Sequence, residues 1–233
     1  MIHVRQLTKS FGSITAVSDL SFDAPDGAIT GFLGANGAGK TTTLRAIAGV
    51  LKPDAGTLRI DPRPSLGALL DQHGLYGRLT AREHLMFFGR LRGLAGSHLT
   101  DRVEQTLDLL RLTTVANRRT SGFSQGERMK VALGCALVHE PAHLVLDEPT
   151  NGLDVPTVRA LRLLLRALRD RGVCILFSSH VLSEIEGLCD RVVIIASGRV
   201  VAQGTVDDVR DCVDAVGLED AFVRLTTAAD QQC

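Results

Sequence analysis

Residues Gly34-Ala35-Asn36-Gly37-Ala38-Gly39-Lys40-Thr41 satisfy the spacing G-x-x-x-x-G-K-[ST] at every required position. That pattern suits a chain of phosphates. Glycines let backbone N–H groups wrap the anion, and a helix N-terminus behind them supplies positive potential. Gly34, Asn36, Gly37 and Gly39 would build the loop and Lys40 would reach the β- and γ-phosphates. Thr41 would ligate Mg²⁺, and Thr42 would donate to the α-phosphate. Further along, Leu144-Val145-Leu146-Asp147-Glu148 sets one carboxylate at the end of a buried strand and a second just after it. Asp147 would hold the metal through water and Glu148 would polarise an attacking water. An acidic turn by itself is commonplace on a protein surface, but beside a phosphate loop it completes a hydrolytic set. No asparagine is followed by lysine, so the Asn-Lys-x-Asp reader of guanine is missing and a GTPase is disfavoured.

These groups need elements to position them. Ile2 and Val4, then Leu20 and Phe22, alternate as half-buried strands, and Ala28 to Leu33 is a short apolar run leading into the glycines. A helix is predicted from Thr42 to about Leu51, stopping near Pro53. From Thr80 the period becomes helical. Thr80 and Glu83 have capping-box spacing ahead of a stripe of Leu85, Phe88, Leu91 and Leu94. A second helix is predicted from about Asp101 to Leu112, burying Val103, Thr106, Leu107 and Leu110. Ser124 and Glu127 make another capping box before Arg128 to Val138. Asp154 caps a helix with Pro156 in its first turn and Gly172 past its end. Val173 to Phe177 reads as a strand, Val192 to Ala196 with Val200 to Gln203 as a hairpin, and Thr205 to Asp208 as the start of a last helix. A tail after about Asp230 is expected to fray. The whole reads as one α/β domain over 1–233. Its core lies at about 1–75 and 140–208, with an inserted helical lobe at about 76–139 and a C-terminal helix and tail at 209–233.

Composition narrows the classes. Of 233 residues, 45% are hydrophobic and 22% charged, which excludes disorder for the bulk of the chain. Twenty-six basic residues balance twenty-six acidic ones, and with one Tyr and no Trp there is little to stack on single-stranded nucleic acid. Nucleic acid is therefore not an expected partner. Five dispersed cysteines without a C-x-x-C pair point to a reducing compartment, without disulfides or zinc. The longest apolar run, Val131 to Val138, is too short to span a bilayer. Arg159, Arg162, Arg166 and Arg169 line one helix face and read as a solvated face.

The segment Gly122-Phe123-Ser124-Gln125-Gly126-Glu127 resembles the signature of the ATP-binding cassette (ABC) family, Leu-Ser-Gly-Gly-Gln ahead of a helix. Asp147-Glu148-Pro149-Thr150-Asn151-Gly152-Leu153-Asp154 is similar to that family's Walker B segment and D-loop, and Ser178-Ser179-His180 to its switch histidine. The segments from Gly74-Leu75-Tyr76 to Glu83 resemble the sodium-export (NatA-like) and multidrug-export branch. The resemblance spans about residues 2 to 208. It implies a P-loop NTPase (RecA-like) core with N-terminal antiparallel strands and an inserted α-helical subdomain. It implies ATP and Mg²⁺, with Glu148 and His180 catalytic and Phe11 where an aromatic stacks on adenine. Phe11 also reads as a plain core residue. In that family Ser124, Gln125, Gly126 and Glu127 face the nucleotide of a second subunit. One phosphate loop and one signature per chain then call for a homodimer.

The implied function is an ATPase subunit at the cytoplasmic face of the membrane, driving a separate membrane-spanning permease, most simply an exporter. Two alternatives stand beside it: a non-transport ABC ATPase acting on ribosomes or DNA, and a non-hydrolysing regulatory cassette, against which Lys40, Glu148 and His180 argue. The sequence departs from the family pattern in three places. The Q-loop glutamine aligns with Asp71, a metal-side position, while Gln72 follows one residue later. Gln125 stands where Gly is usual, and Glu127, in place of Gln, reads equally as a helix cap or a catalytic group. His143 opens the Walker B strand and reads as a strand-end residue, not a ligand. Phe87 and Phe88 would serve partly for docking a membrane subunit and partly for the lobe's own core.

Overall fold

The computed structural model describes residues 1–60, 66–70 and 74–230. Its strands are β1 (Ile2–Phe11), β2 (Ile14–Ala24), β3 (Ile29–Leu33), β4 (Ala55–Ile60), β5 (Leu66–Leu69), β6 (His143–Leu146), β7 (Cys174–Ser179), β8 (Arg191–Ala196) and β9 (Arg199–Gly204). Its helices are α1 (Lys40–Ile47), α2 (Ala81–Leu91), α3 (Gly96–Leu109), α4 (Gln125–Leu137), α5 (Val155–Asp170), α6 (Leu182–Leu188), α7 (Val206–Asp211) and α8 (Leu218–Asp230). β2-β1-β4 form an antiparallel sheet, and β5-β6-β7-β3-β8-β9 form a second sheet, parallel except for β9. The expected fold class is the observed one.

Every residue of β3, β6 and β7 is buried, as a parallel sheet covered on both faces requires. Their side chains alternate between two cores. Ile175 and Phe177 face α4 to α6 and the lobe, while Cys174 and Leu176 face α1 and the antiparallel sheet. β6, β7 and β3 are adjacent, so their carboxyl ends bring Asp147, His180 and the glycine loop to one edge. Ligands of open α/β sheets sit at that edge.

The two sheets meet at the phosphate loop. A Cβ on Gly39 would lie 2.6 Å from the Ala16 carbonyl oxygen of β2, and one on Gly198, in the β8–β9 turn, would lie 2.8 Å from the same oxygen. Gly198 N–H donates to the Ala38 carbonyl at 3.1 Å and its own carbonyl accepts from Ser18 N–H at 2.9 Å.

The lobe lies between β5 and β6 in the chain and comprises α2, α3, α4 and two 3₁₀ turns. The capping boxes at Thr80/Glu83, Ser124/Glu127 and Thr205/Asp208 all form. Boundaries moved where glycine intervened. α1 starts at Lys40, because Gly39 takes φ 102° at its N-cap, and it ends before Gly49, φ 75°, well short of Pro53. α3 begins at Gly96 instead of Asp101, its early turns anchored by buried Leu99. Leu91 points to solvent, and the buried side of α2 is Ala81, His84, Leu85 and Gly89. The C-terminal region holds two helices, α7 and α8, where the sequence reading separates one from the tail. The arginine face of α5 is also not simply solvated. Arg166 donates to the Gly187 carbonyl at 2.6 Å and Arg169 to Asp190 at 2.8 Å, pinning α5 to α6 and β8. His143 is buried as the first residue of β6, its Nε2 3.4 Å from Asp26.

Candidate active site

A cavity of about 290 Å³ opens over the carboxyl edge of β3, β6 and β7. Asn36, Gly37, Gly39, Lys40, Thr41 and Thr42 line it from below, Glu148 and His180 from the side. Ala35 and Asn151, quoted above only within their motifs, and Ala16, which the sequence reading did not name, complete the wall. The first turn of α1 leaves N–H groups without intrahelical acceptors, aimed at the loop that precedes it. Gly34 is packed too tightly for a side chain, since a Cβ there would lie 2.7 Å from the Ile195 carbonyl oxygen. The loop is thus a cradle of backbone donors on a rigid floor, a shape that takes phosphate oxygens.

Lys40 is buried, and its Nζ donates to the Gly34 and Ala35 carbonyls at 2.6 and 3.2 Å. It also lies 3.7 Å from Glu148 Oε1. Glu148 follows β6 with φ 47°, a left-handed conformation that costs a side-chain-bearing residue about 1–3 kcal/mol. Several contacts hold it there. Its N–H donates to Ser178 Oγ at 2.9 Å, and its Oε2 is 2.7 Å from His180 Nδ1. Ser178 Oγ in turn donates to Asp147 Oδ1 at 2.7 Å. The arrangement therefore offers an immobilised carboxylate paired with an imidazole, beside a cation and a phosphate-shaped cradle. Such a set can polarise a water against a terminal phosphoryl group and stabilise the charge that develops.

The donor set also fits Mg²⁺. Thr41 offers a hydroxyl and Asp147 a largely buried carboxylate, both hard oxygen ligands. Among the described residues no group of three or more His, Cys, Asp or Glu could hold a metal by itself, so phosphate oxygens and water would complete the shell. Asp71 and Gln72 lie outside the described residues.

The remaining predicted residues lie apart from the cavity wall. Phe11, at the end of β1, is 52% exposed with Lys9 Nζ 5.6 Å from its ring centroid, so it is not core. Ser124 to Glu127 begin α4 and none of them lines the cavity. Glu127 closes the capping box on Ser124 and pairs with Arg118 Nη2 at 2.5 Å. Gln125 Nε2 donates to the Asn151 carbonyl at 3.1 Å, joining the signature turn to the loop after β6.

The sequence profile of the ABC transporter family matches residues 17–151, which include the phosphate loop, the signature and the acidic pair. The chain belongs to the ABC transporter ATP-binding family. As such it is an ATP-binding cassette that hydrolyses ATP. NatA, an ABC transporter ATP-binding protein of Bacillus subtilis, is 40% identical to the cassette over 205 residues, 83% of each chain. The Nod factor export ATP-binding protein I of Paraburkholderia xenovorans is 38% identical over 213 residues, 87% of the cassette and 70% of its own length. A solved ATP-binding subunit of an ABC transporter superposes on the cassette with a TM-score of 0.89 at 31% identity, covering 97% of the cassette and 99% of that chain.

Proposed function

We propose that the cassette is the Mg²⁺-dependent ATPase subunit of an exporter, working as a homodimer on a separate membrane-spanning permease. The observation that carries this reading is the split between the cradle and the signature. Lys40, Glu148 and His180 converge on one cavity, while Ser124 to Glu127, among the described residues, form a second helix start outside that cavity. Two copies placed head to tail would complete two sites. In each, Glu148 polarises the water, His180 keeps the carboxylate oriented, and Lys40 leaves the loop carbonyls for the terminal phosphates. Thr41 and Asp147 would hold Mg²⁺, which would supply charge neutralisation at the phosphates.

A permease partner is supported by an apolar hollow of about 460 Å³ on the lobe, lined by Tyr76, Gly77, Arg78, Leu79 and Phe87. Tyr76 is 56% and Phe87 41% exposed, whereas Phe88 is half-buried and packs edge-on against Phe87. No helix among the described residues is long and apolar enough to cross a membrane. Export is favoured by the likeness to the Nod factor export ATP-binding protein I. The deciding experiment is purification of the tagged cassette from native membranes. An integral membrane protein should accompany it and be lost with Phe87→Asp. Recovery of ribosomes or DNA in its place would overturn the reading.

A further inference from the structure

β7 ends in two consecutive serines whose side chains leave opposite faces of the strand, and each meets a different carboxylate. Ser178 reaches Asp147 and the Glu148 N–H, as described above. Ser179 Oγ donates to Glu184 Oε2 at 2.8 Å and accepts from Val181 N–H at 3.0 Å. The same oxygen of Glu184 accepts from Thr150 Oγ1 at 2.7 Å. Glu184 is 8% exposed, and no Lys, Arg or His lies within ion-pair distance of it among the described residues. A carboxylate buried with hydroxyls and without a cation is costly to keep. For stability alone, an apolar residue in the first turn of α6 would serve at least as well.

Its position says what it does. Thr150 lies two residues after Glu148, and Ser179 immediately precedes His180. One carboxylate oxygen therefore ties together the two loops whose side chains must meet at 2.7 Å. We propose that Glu184 is a positioning residue for hydrolysis: it pins Thr150 and Ser179 to a single point, and so holds Glu148 and His180 in register above the cradle. The inference rests on the assignment of Glu148 and His180 made above. The clamp also explains how Glu148 stays at φ 47°. Its own N–H is fixed by Ser178 on one side, and the turn that follows is fixed by Glu184 on the other, so the strained conformation is over-determined.

The test measures steady-state ATP turnover of the full chain with Mg²⁺, binding of a fluorescent ATP analogue, and thermal melting. Glu184→Ala should lower kcat by at least about tenfold while KM and analogue binding stay within about twofold, because misplacement acts on the reaction and not on phosphate capture. Glu184→Gln keeps an acceptor oxygen in place and should recover most of kcat. Thr150→Val and Ser179→Ala should each lower kcat, and neither should lower it much further in the Glu184→Ala background, since both act through one atom. If Glu184→Ala does not fold, Thr150→Val decides alone. A residue that merely anchors α6 would lower the melting temperature and leave kcat unchanged, and that result overturns the proposal. Glu148→Gln is measured alongside. If it turns over normally, the catalytic assignment itself has failed. If it is inactive while Glu184→Ala keeps its kcat, only the clamp has.

Discussion

Lys40 and Glu148 sit 3.7 Å apart, yet substituting them should damage different steps. Lys40 donates to its own loop carbonyls, and in the proposed mechanism these bonds are exchanged for phosphate. Lys40→Ala should therefore raise the dissociation constant for ATP, measured by equilibrium binding. Glu148→Gln keeps the shape and removes the base, so ATP binding should persist while turnover falls about 10²–10⁴-fold. Near-normal turnover in that variant would mean that another group polarises the water. Residues of this kind are legible in sequence because rigid backbone spacing fixes them, as in Gly34 to Thr41. Glu184 escaped notice for the opposite reason, and Thr150 and Ser178 were read only as members of motifs, without a role of their own. Each is a single polar residue with no spacing rule, and its importance comes from distant neighbours. The one available signal was a pair of serines closing an otherwise apolar strand.

Among the elements, helix starts were the most readable features because each depends on four adjacent residues. Thr80, Ser124, Asp154 and Thr205 all cap where expected. β4 and β5 were not readable. β4 is mostly exposed and lacks alternation, and β5 has only four residues, so both owe their existence to pairing partners far away in sequence. The caps carry a pH signature. Asp154 is held below the usual carboxylate range by its hydrogen bonds from Thr157, and Glu83 and Asp208 by backbone bonds from Thr80 and Thr205. With folded values depressed, their contribution is complete above about pH 4 and is lost as pH falls through the folded values. The stability difference between the cassette and Asp154→Asn, from urea melts, should be constant above pH 5 and shrink below pH 4. A curve unaltered by that change would show that the cap is idle. Gln125 supplies a second element-scale prediction. Gln125→Ala should raise hydrogen exchange in the first turn of α4 and around Asn151 together, because one bond joins them. Exchange rising at neither place would mean the bond is not kept in solution.

At the scale of the whole molecule, the proposed homodimer would give each chain half of two sites. Turnover should then be cooperative in ATP and fall on dilution. Chains carrying Ser124→Arg and chains carrying Lys40→Ala should each be inactive alone, and mixing them should restore one intact composite site. Failure in demonstrably formed heterodimers would place the whole reaction within one chain.

The Ala16 carbonyl, against which both Gly39 and Gly198 are pressed, sets an order on the birth of the site. A chain leaving the ribosome exposes its phosphate-binding motif early, but the turn that backs it is translated long afterwards. Until that turn arrives, the residues that line the cavity are all translated, but the loop lacks the Gly198 donor to Ala38. Nucleotide stabilises only what can bind it, and contacts between residues so distant in sequence form late. ATP should therefore help the nascent cassette little before that turn is in place. It becomes a folding ligand only at the end, and nascent chains stalled before Gly198 should pass an ATP column unretained.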